Sequence, residues 1–141
     1  MIAVDTNILV YAHYEKLPQH QSARERLVSL AERPEPWAIP VFCLAEFARV
    51  VTHPRLFSPP FSAEEACVAV ERLLESPSLR VLYPGPRFPS LFLQAIRESA
   101  ATGNLIFDAQ IVALCQEAGA HALLTEDRDF MRFPRFVVEQ L

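Results

Sequence analysis

Apolar positions along this chain follow two rhythms. Short apolar runs, Met1–Asp5 (MIAVD), Trp37–Ile39, Leu79–Tyr83, Ala122–Thr125 and Phe136–Val138, read as buried strands. Between them the spacing is helical. Helical sequence runs from Asn7 to about Tyr14, and His20–Glu32 is amphipathic, with apolar Ala23, Leu27, Val28 and Leu30. Pro40 is placed to start a helix through Val51, since its fixed φ suits a first turn. Ser62 followed by Glu65 forms a capping box that opens a helix to about Glu75. Pro89 and Ser90 begin another helix ending near Gly103. Asp108 opens a last one to Ala118, closed by Gly119. Strands separated by helices of roughly 10–15 residues predict βαβ units. The fold class is therefore α/β, a mostly parallel sheet of four or five strands covered by helices on both faces.

One stretch departs from the rhythm. HPRLFSPPF (residues 53–61) is a proline-rich loop carrying Leu56, Phe57 and Phe61. It either folds back on the core or offers an apolar patch to a partner chain.

In a parallel sheet, ligand sites form beyond the carboxyl ends of the strands. That rule directs attention to the acids. The chain has thirteen Glu, most of them scattered along helices beside Arg, and only four Asp: Asp5, Asp108, Asp127 and Asp129. Asp5 ends the first strand, Asp127 follows the strand ending at Thr125, and Asp108 is placed where a helix begins. A boundary Asp is a good N-cap, so each has a structural explanation. Four at boundaries, with none elsewhere, point to a shared site. Glu46 is the fifth acid of interest. It lies mid-helix among Phe42, Cys43 and Val50, where a buried carboxylate needs a partner. The nearest is Arg49, three residues on, which would form an ordinary helical ion pair.

Carboxylates brought together repel. At 4 Å and an effective dielectric near 20 the cost is about 4 kcal/mol per pair. Such a cluster takes up protons or a cation, and oxygen-only ligands suit Mg²⁺ or Mn²⁺. His13, His20, His53 and His121 show no zinc-ligand spacing. A hard cation with open positions serves phosphate chemistry.

Composition sets the outer limits. The chain has 141 residues, 51% hydrophobic and 21% charged, which fits a single globular domain over 1–141. No apolar run reaches the roughly 18–20 residues of a membrane helix. The start does not read as a signal peptide, since it lacks a basic segment and carries Asp5. Cys43, Cys67 and Cys115 read as buried thiols in a reducing cytoplasm. A net charge of −4 argues mildly against a nucleic-acid partner. Setting aside the five suspected site acids, however, changes that charge from −4 to +1. Arg128 and Arg132 flank the last aspartates and are candidate phosphate contacts, with surface salt bridges as the alternative.

Four runs, VDTNILVYA (4–12), AEFARVVTHPRLF (45–57), ATGNLIFDAQIVALCQEAGA (101–120) and TEDRDFMRFP (125–134), together resemble the PIN-domain ribonucleases. More narrowly they resemble the VapC-type toxins of bacterial toxin–antitoxin modules. The likeness spans almost the whole chain. It implies a PIN-like three-layer sandwich and a metal-binding quartet of Asp5, Glu46, Asp108 and Asp127. Asp129 matches an accessory position. Thr6, Asn7 and Thr125 match positions that orient the carboxylates or substrate, and Asn104 matches a position ahead of the third acid. The resemblance further implies one or two Mg²⁺ or Mn²⁺ ions, and RNA cleavage leaving 5′-phosphate and 3′-hydroxyl ends. As partners it implies a homodimer and a VapB-type antitoxin that inserts a basic side chain among the acids.

Three other functions compete with this one. An aspartyl-phosphate phosphatase needs a second acid two residues after the first, where this chain has Asn7. It also needs a late lysine, whereas Lys16 is the only lysine. A phospho-receiver domain fails on the same lysine. The remaining alternative is a PIN fold kept as a binding module, its acids acting only as caps and salt bridges.

Overall fold

The five apolar runs become the strands of one parallel sheet in a computed structural model that describes all 141 residues. They are β1 (Ile2–Val4), β2 (Trp37–Pro40), β3 (Leu79–Leu82), β4 (Ala122–Leu124) and β5 (Val138–Glu139). Six helices connect them: α1 (Thr6–His13), α2 (His20–Glu32), α3 (Val41–Val51), α4 (Ala63–Leu74), α5 (Phe88–Ser99) and α6 (Leu105–Ala118). A 3-10 helix, Arg128–Arg132, links β4 to β5.

The strand order is β3-β2-β1-β4-β5. From β1 the chain steps outward through β2 to β3, then returns past β1 to lay down β4 on its other side. Right-handed crossovers therefore put α1–α4 on one face and α5 and α6 on the other. The packing agrees: α1 contacts α2 and α3, α3 contacts α4, and α5 contacts α6. The order reverses between β1 and β4, and the carboxyl ends of those two strands flank the crevice where such sheets bind ligands.

The core explains why these segments take these forms. Strands β2 and β4 are buried throughout, as double-sided cover requires. In α3, Cys43, Phe47 and Val51 form the buried stripe. From Ala109 to Cys115, α6 is buried at every position but Gln110, which suits a helix laid centrally on the sheet.

The capping box exists as expected. Ser62 Oγ accepts from Glu65 N at 3.0 Å, and Glu65 Oε2 accepts from Ser62 N at 2.7 Å. Replacing Ser62 by Ala is expected to lower the unfolding free energy by about 1 kcal/mol, read from urea denaturation.

Several expectations need correction. The α5 helix stops at Ser99, before Gly103, because Ala100 takes a left-handed conformation (φ 52°) and its N–H closes on Ile96 O. The next helix begins at Leu105, three residues before Asp108, because the turn through Gly103 (φ 59°) already starts its winding. The last strand is shifted to Val138–Glu139, where Thr125 N donates to Glu139 O at 2.9 Å. Cys67 is exposed on α4, while Cys43 and Cys115 are buried. The 53–61 loop divides. Phe57 and Phe61 stack on Tyr14 and pack against the core, and Leu56 remains 55% exposed.

Candidate functional site

Asp5 stands just past β1, and its backbone N–H donates to Leu124 O at 3.0 Å, carrying the β1–β4 pairing to the edge of the site. Its side chain is 5% exposed and fully engaged. Oδ1 accepts from Thr6 N at 2.7 Å and from the buried Cys43 thiol at 3.7 Å. Oδ2 accepts from Asn7 Nδ2 and from Thr125 Oγ1, each at 2.7 Å. Asp5 is thus the N-cap of α1 and a lining residue of the acidic cleft at once.

Thr125 and Asn7 lock the two strand ends together. Thr125 Oγ1 accepts from Asn7 Nδ2 at 2.9 Å and from Asp127 N at 3.0 Å, while Asn7 Oδ1 accepts from Glu126 N at 3.2 Å. Asp127 in turn caps the 3-10 helix, its Oδ1 accepting from Asp129 N at 2.9 Å. Replacing Thr125 by Val is expected to cost about 1–3 kcal/mol, because buried Asp5 loses a donor and Asp127 N an acceptor. Urea denaturation of the variant measures it.

The remaining acids come from both helical layers. Asp108 lies in the first turn of α6. Glu46 lies on α3, but it is exposed rather than buried, a further departure from the expectation. Three residues on from Cys43, it falls about 60° off the buried stripe and faces the crevice. Thr6 Oγ1 donates to Glu46 Oε2 at 3.0 Å, and Arg49 does lie beside it, 3.4 Å from Oε1. Both partners of that ion pair are substantially exposed, so it adds little stability.

All five acids line one cleft of about 920 Å³, together with Thr6, Asn7 and Asn104. Oxygens of Asp108, Asp127 and Asp129 lie within 4.8 Å of one another, so Asp129, an accessory position in the resemblance, joins the tightest group. Arg128 and Arg132 stand on the 3-10 helix and do not line the cleft; Arg49 does. Sequence reading also missed Tyr11, Phe107 and Gln110 in the walls. For Phe107 the signal was its place beside Asp108.

The accumulated negative charge is visible in the acids themselves. Burial pushes the Asp5 carboxyl up to about 6 against its hydrogen bonds from Thr125 and Thr6, with Glu46 and Asp127 adding repulsion. Burial, then repulsion by Asp127, Asp5, Asp129 and Glu46, pushes Asp108 up to about 7. The amino end of α6 favours the charged form by no more than about 1 kcal/mol, and burial with four acids outweighs it. The donor set fits a hard divalent cation: three close carboxylates, no His or Cys among them, and no cation of the chain neutralising them.

A fold with this switch-point crevice and this set of acids matches one family. The PIN-domain family model covers residues 2–135, and the chain belongs to the PIN-domain family. Its place there is among the VapC-type proteins. It is 42% identical to a VapC ribonuclease of Mycobacterium bovis over 135 residues, covering 96% of this chain and 91% of that one. It is 34% identical to ribonuclease VapC31 of Mycobacterium tuberculosis over 134 residues, 94% of this chain and 93% of the relative. Its fold matches the structure of VapBC2 from Rickettsia felis bound to a promoter DNA fragment. There the TM-score is 0.73 at 22% identity, covering 99% of this chain and 98% of the other.

Proposed function

We propose that this protein is a metal-dependent endoribonuclease, the toxin of a VapBC-type module, acting as a single domain in the cytoplasm. The carrying observation is the convergence of five carboxylates from β1, α3, α6 and the β4–β5 connection on one cleft. Relatives named as ribonucleases support the same reading. Asp108, Asp127 and Asp129, with Asp5 and Glu46 beside them, would hold one or two Mg²⁺ or Mn²⁺ ions. When bound, such an ion acidifies a coordinated water and neutralises charge on a phosphodiester under attack.

The chain's own groups set the stage for that chemistry. Asn7 and Thr125 hold Asp5 Oδ2 in one orientation, and Thr6 ties the start of α1 to Glu46 on α3. The fixed Asp5 and the two-layer origin of the other acids keep the carboxylates close despite their repulsion. Burial and four acidic neighbours push the Asp108 carboxyl up to about 7, so near neutral pH it is divided between its protonated and charged forms. A VapB-type antitoxin would neutralise the same cleft with a basic side chain, and the chain would act as a homodimer.

The test is cleavage of total bacterial RNA by antitoxin-free protein in Mn²⁺, in EDTA, and with Asp5→Asn protein. Discrete fragments with 5′-phosphate ends are expected in Mn²⁺ alone. Folded, partner-free protein that leaves RNA intact in Mn²⁺ would instead be a binding module.

A further inference from the structure

We infer that Phe107, flanked by Asn104 and Gln110, is the seat for one unpaired RNA base beside the cleaved phosphodiester. This rests on the ribonuclease reading and deepens it by naming a side chain that positions the RNA.

Phe107 is 63% exposed and lines the acidic cleft. Single exposed apolar residues are ordinary on protein surfaces, so exposure alone says nothing. Its position is what matters. It immediately precedes Asp108, so a phosphodiester held at the acids has its own bases within reach of the ring. Asn104 and Gln110 stand three residues to either side, on the same flank of α6, and both line the cleft. Asn104 occupies the N-cap position yet its side chain makes no capping bond, which leaves its amide for another partner. An aromatic face between two amides matches a nucleobase. The ring stacks on the π-face, while amides both donate to and accept from the polar edge.

Charge supports the same occupant. Arg49, on the opposite wall, is the one cationic side chain lining the cleft, and its side chain is 62% exposed. A strand crossing from α3 to α6 meets a cation for a backbone phosphate, the carboxylates at the centre, and an aromatic face beyond them. A base in a duplex already has both faces stacked, so the seat admits only an unpaired one.

The experiment pairs binding with cleavage. Single-stranded RNA carrying 2-aminopurine, whose fluorescence falls on stacking, is titrated into Asp5→Asn protein with and without Phe107→Ala. Steady-state cleavage of the unlabelled strand is measured on proteins with intact acids. Quenching is expected with Phe107, lost with Phe107→Ala and retained with Phe107→Trp. KM is expected to rise roughly tenfold in Phe107→Ala, with the larger part of the kcat/KM loss carried by KM. Matching circular dichroism spectra establish that the variants are folded, and the Trp variant shows whether the ring itself is needed.

A Phe107→Ala protein that quenches and cleaves like the parent overturns the inference and leaves the ribonuclease reading standing. So does equal quenching by a duplex of the same sequence. If the Ala variant handles RNA normally but loses its grip on a protein partner, the ring belongs to that interface and the base seat falls. Parent protein that neither binds nor cleaves RNA in Mn²⁺ sinks the ribonuclease reading, and this inference with it.

Discussion

Asp108→Asn is expected to lower RNA cleavage by at least roughly a hundredfold while making the metal-free protein more stable above pH 7. Those two effects seldom travel together. A carboxylate that serves the fold destabilises the protein when neutralised; one held in place for chemistry does the reverse. Asp108 is raised to about 7 by burial and by four acidic neighbours, so ionising it works against the folded state. Asparagine keeps the shape and removes the charge. The measurement is paired: initial cleavage rates in Mn²⁺, and urea denaturation in EDTA at pH 8. Full activity in the variant would remove Asp108 from the site. A loss of stability in EDTA would make it a structural group whose effect on activity is indirect. Asp5→Asn is a poorer choice for this comparison. Its new amide would point a donor at Asn7 Nδ2 or at Thr6 N, adding an unrelated cost to the one being measured.

The strands and the position of Asp5 were legible because both are local. An apolar run that breaks at a carboxylate and resumes as a helix announces a strand end and a cap. The family motif then says which strand ends share a site. Asp127 was legible for the same reason, and like Asp5 it proves to be cap and cleft residue together. What the pattern could not give was which side of an element faces what. Glu46 has apolar neighbours at helical spacing, which reads as burial. Yet the buried stripe of α3 runs through Cys43, Phe47 and Val51, and the crevice opens along its flank. The start of α6 was misplaced because Thr102, Gly103 and Asn104 look like a loop. Their backbone already forms the turn, with Phe107 N donating to Asn104 O at 3.0 Å. Cys67 illustrates the same limit. Its neighbours Ala66 and Ala69 are buried, but on α4 the thiol points the other way. Arg49 was read as a surface partner of Glu46, and it is one. Its place in the cleft wall followed only from the packing of α3 against α1.

In EDTA, the contribution of Asp5 and Asp108 to stability is expected to fall as pH rises from about 4 to about 7, the reverse of what carboxylates do in ordinary acid denaturation. The sign follows from proton binding. An unfolded chain releases the Asp5 and Asp108 protons near 3.8, whereas the folded protein holds them to about 6 and about 7. Between those values the folded state carries more protons, so each step up in pH favours unfolding. Below the window both states are protonated and the penalty is absent; above it the penalty is complete. For Asp5, 5% exposed, a rise from 3.8 to about 6 corresponds to about 3 kcal/mol. Asp108 adds less than its shift implies, because solvent reaches it. Mn²⁺ should reverse the trend, since a cation binds the ionised carboxylates and only in the folded state. At a hundred times its dissociation constant it would return about 2.7 kcal/mol, comparable to what ionisation removed. Thermal melts at pH 5 and pH 8, each with EDTA and with Mn²⁺, contain the whole argument. The metal-free protein should melt lower at pH 8 than at pH 5, and Mn²⁺ should raise the melting point far more at pH 8. Asp108→Asn should weaken both responses. Equal melting points across the four conditions would mean that the acids are too far apart, or too well solvated, to act as a cation site.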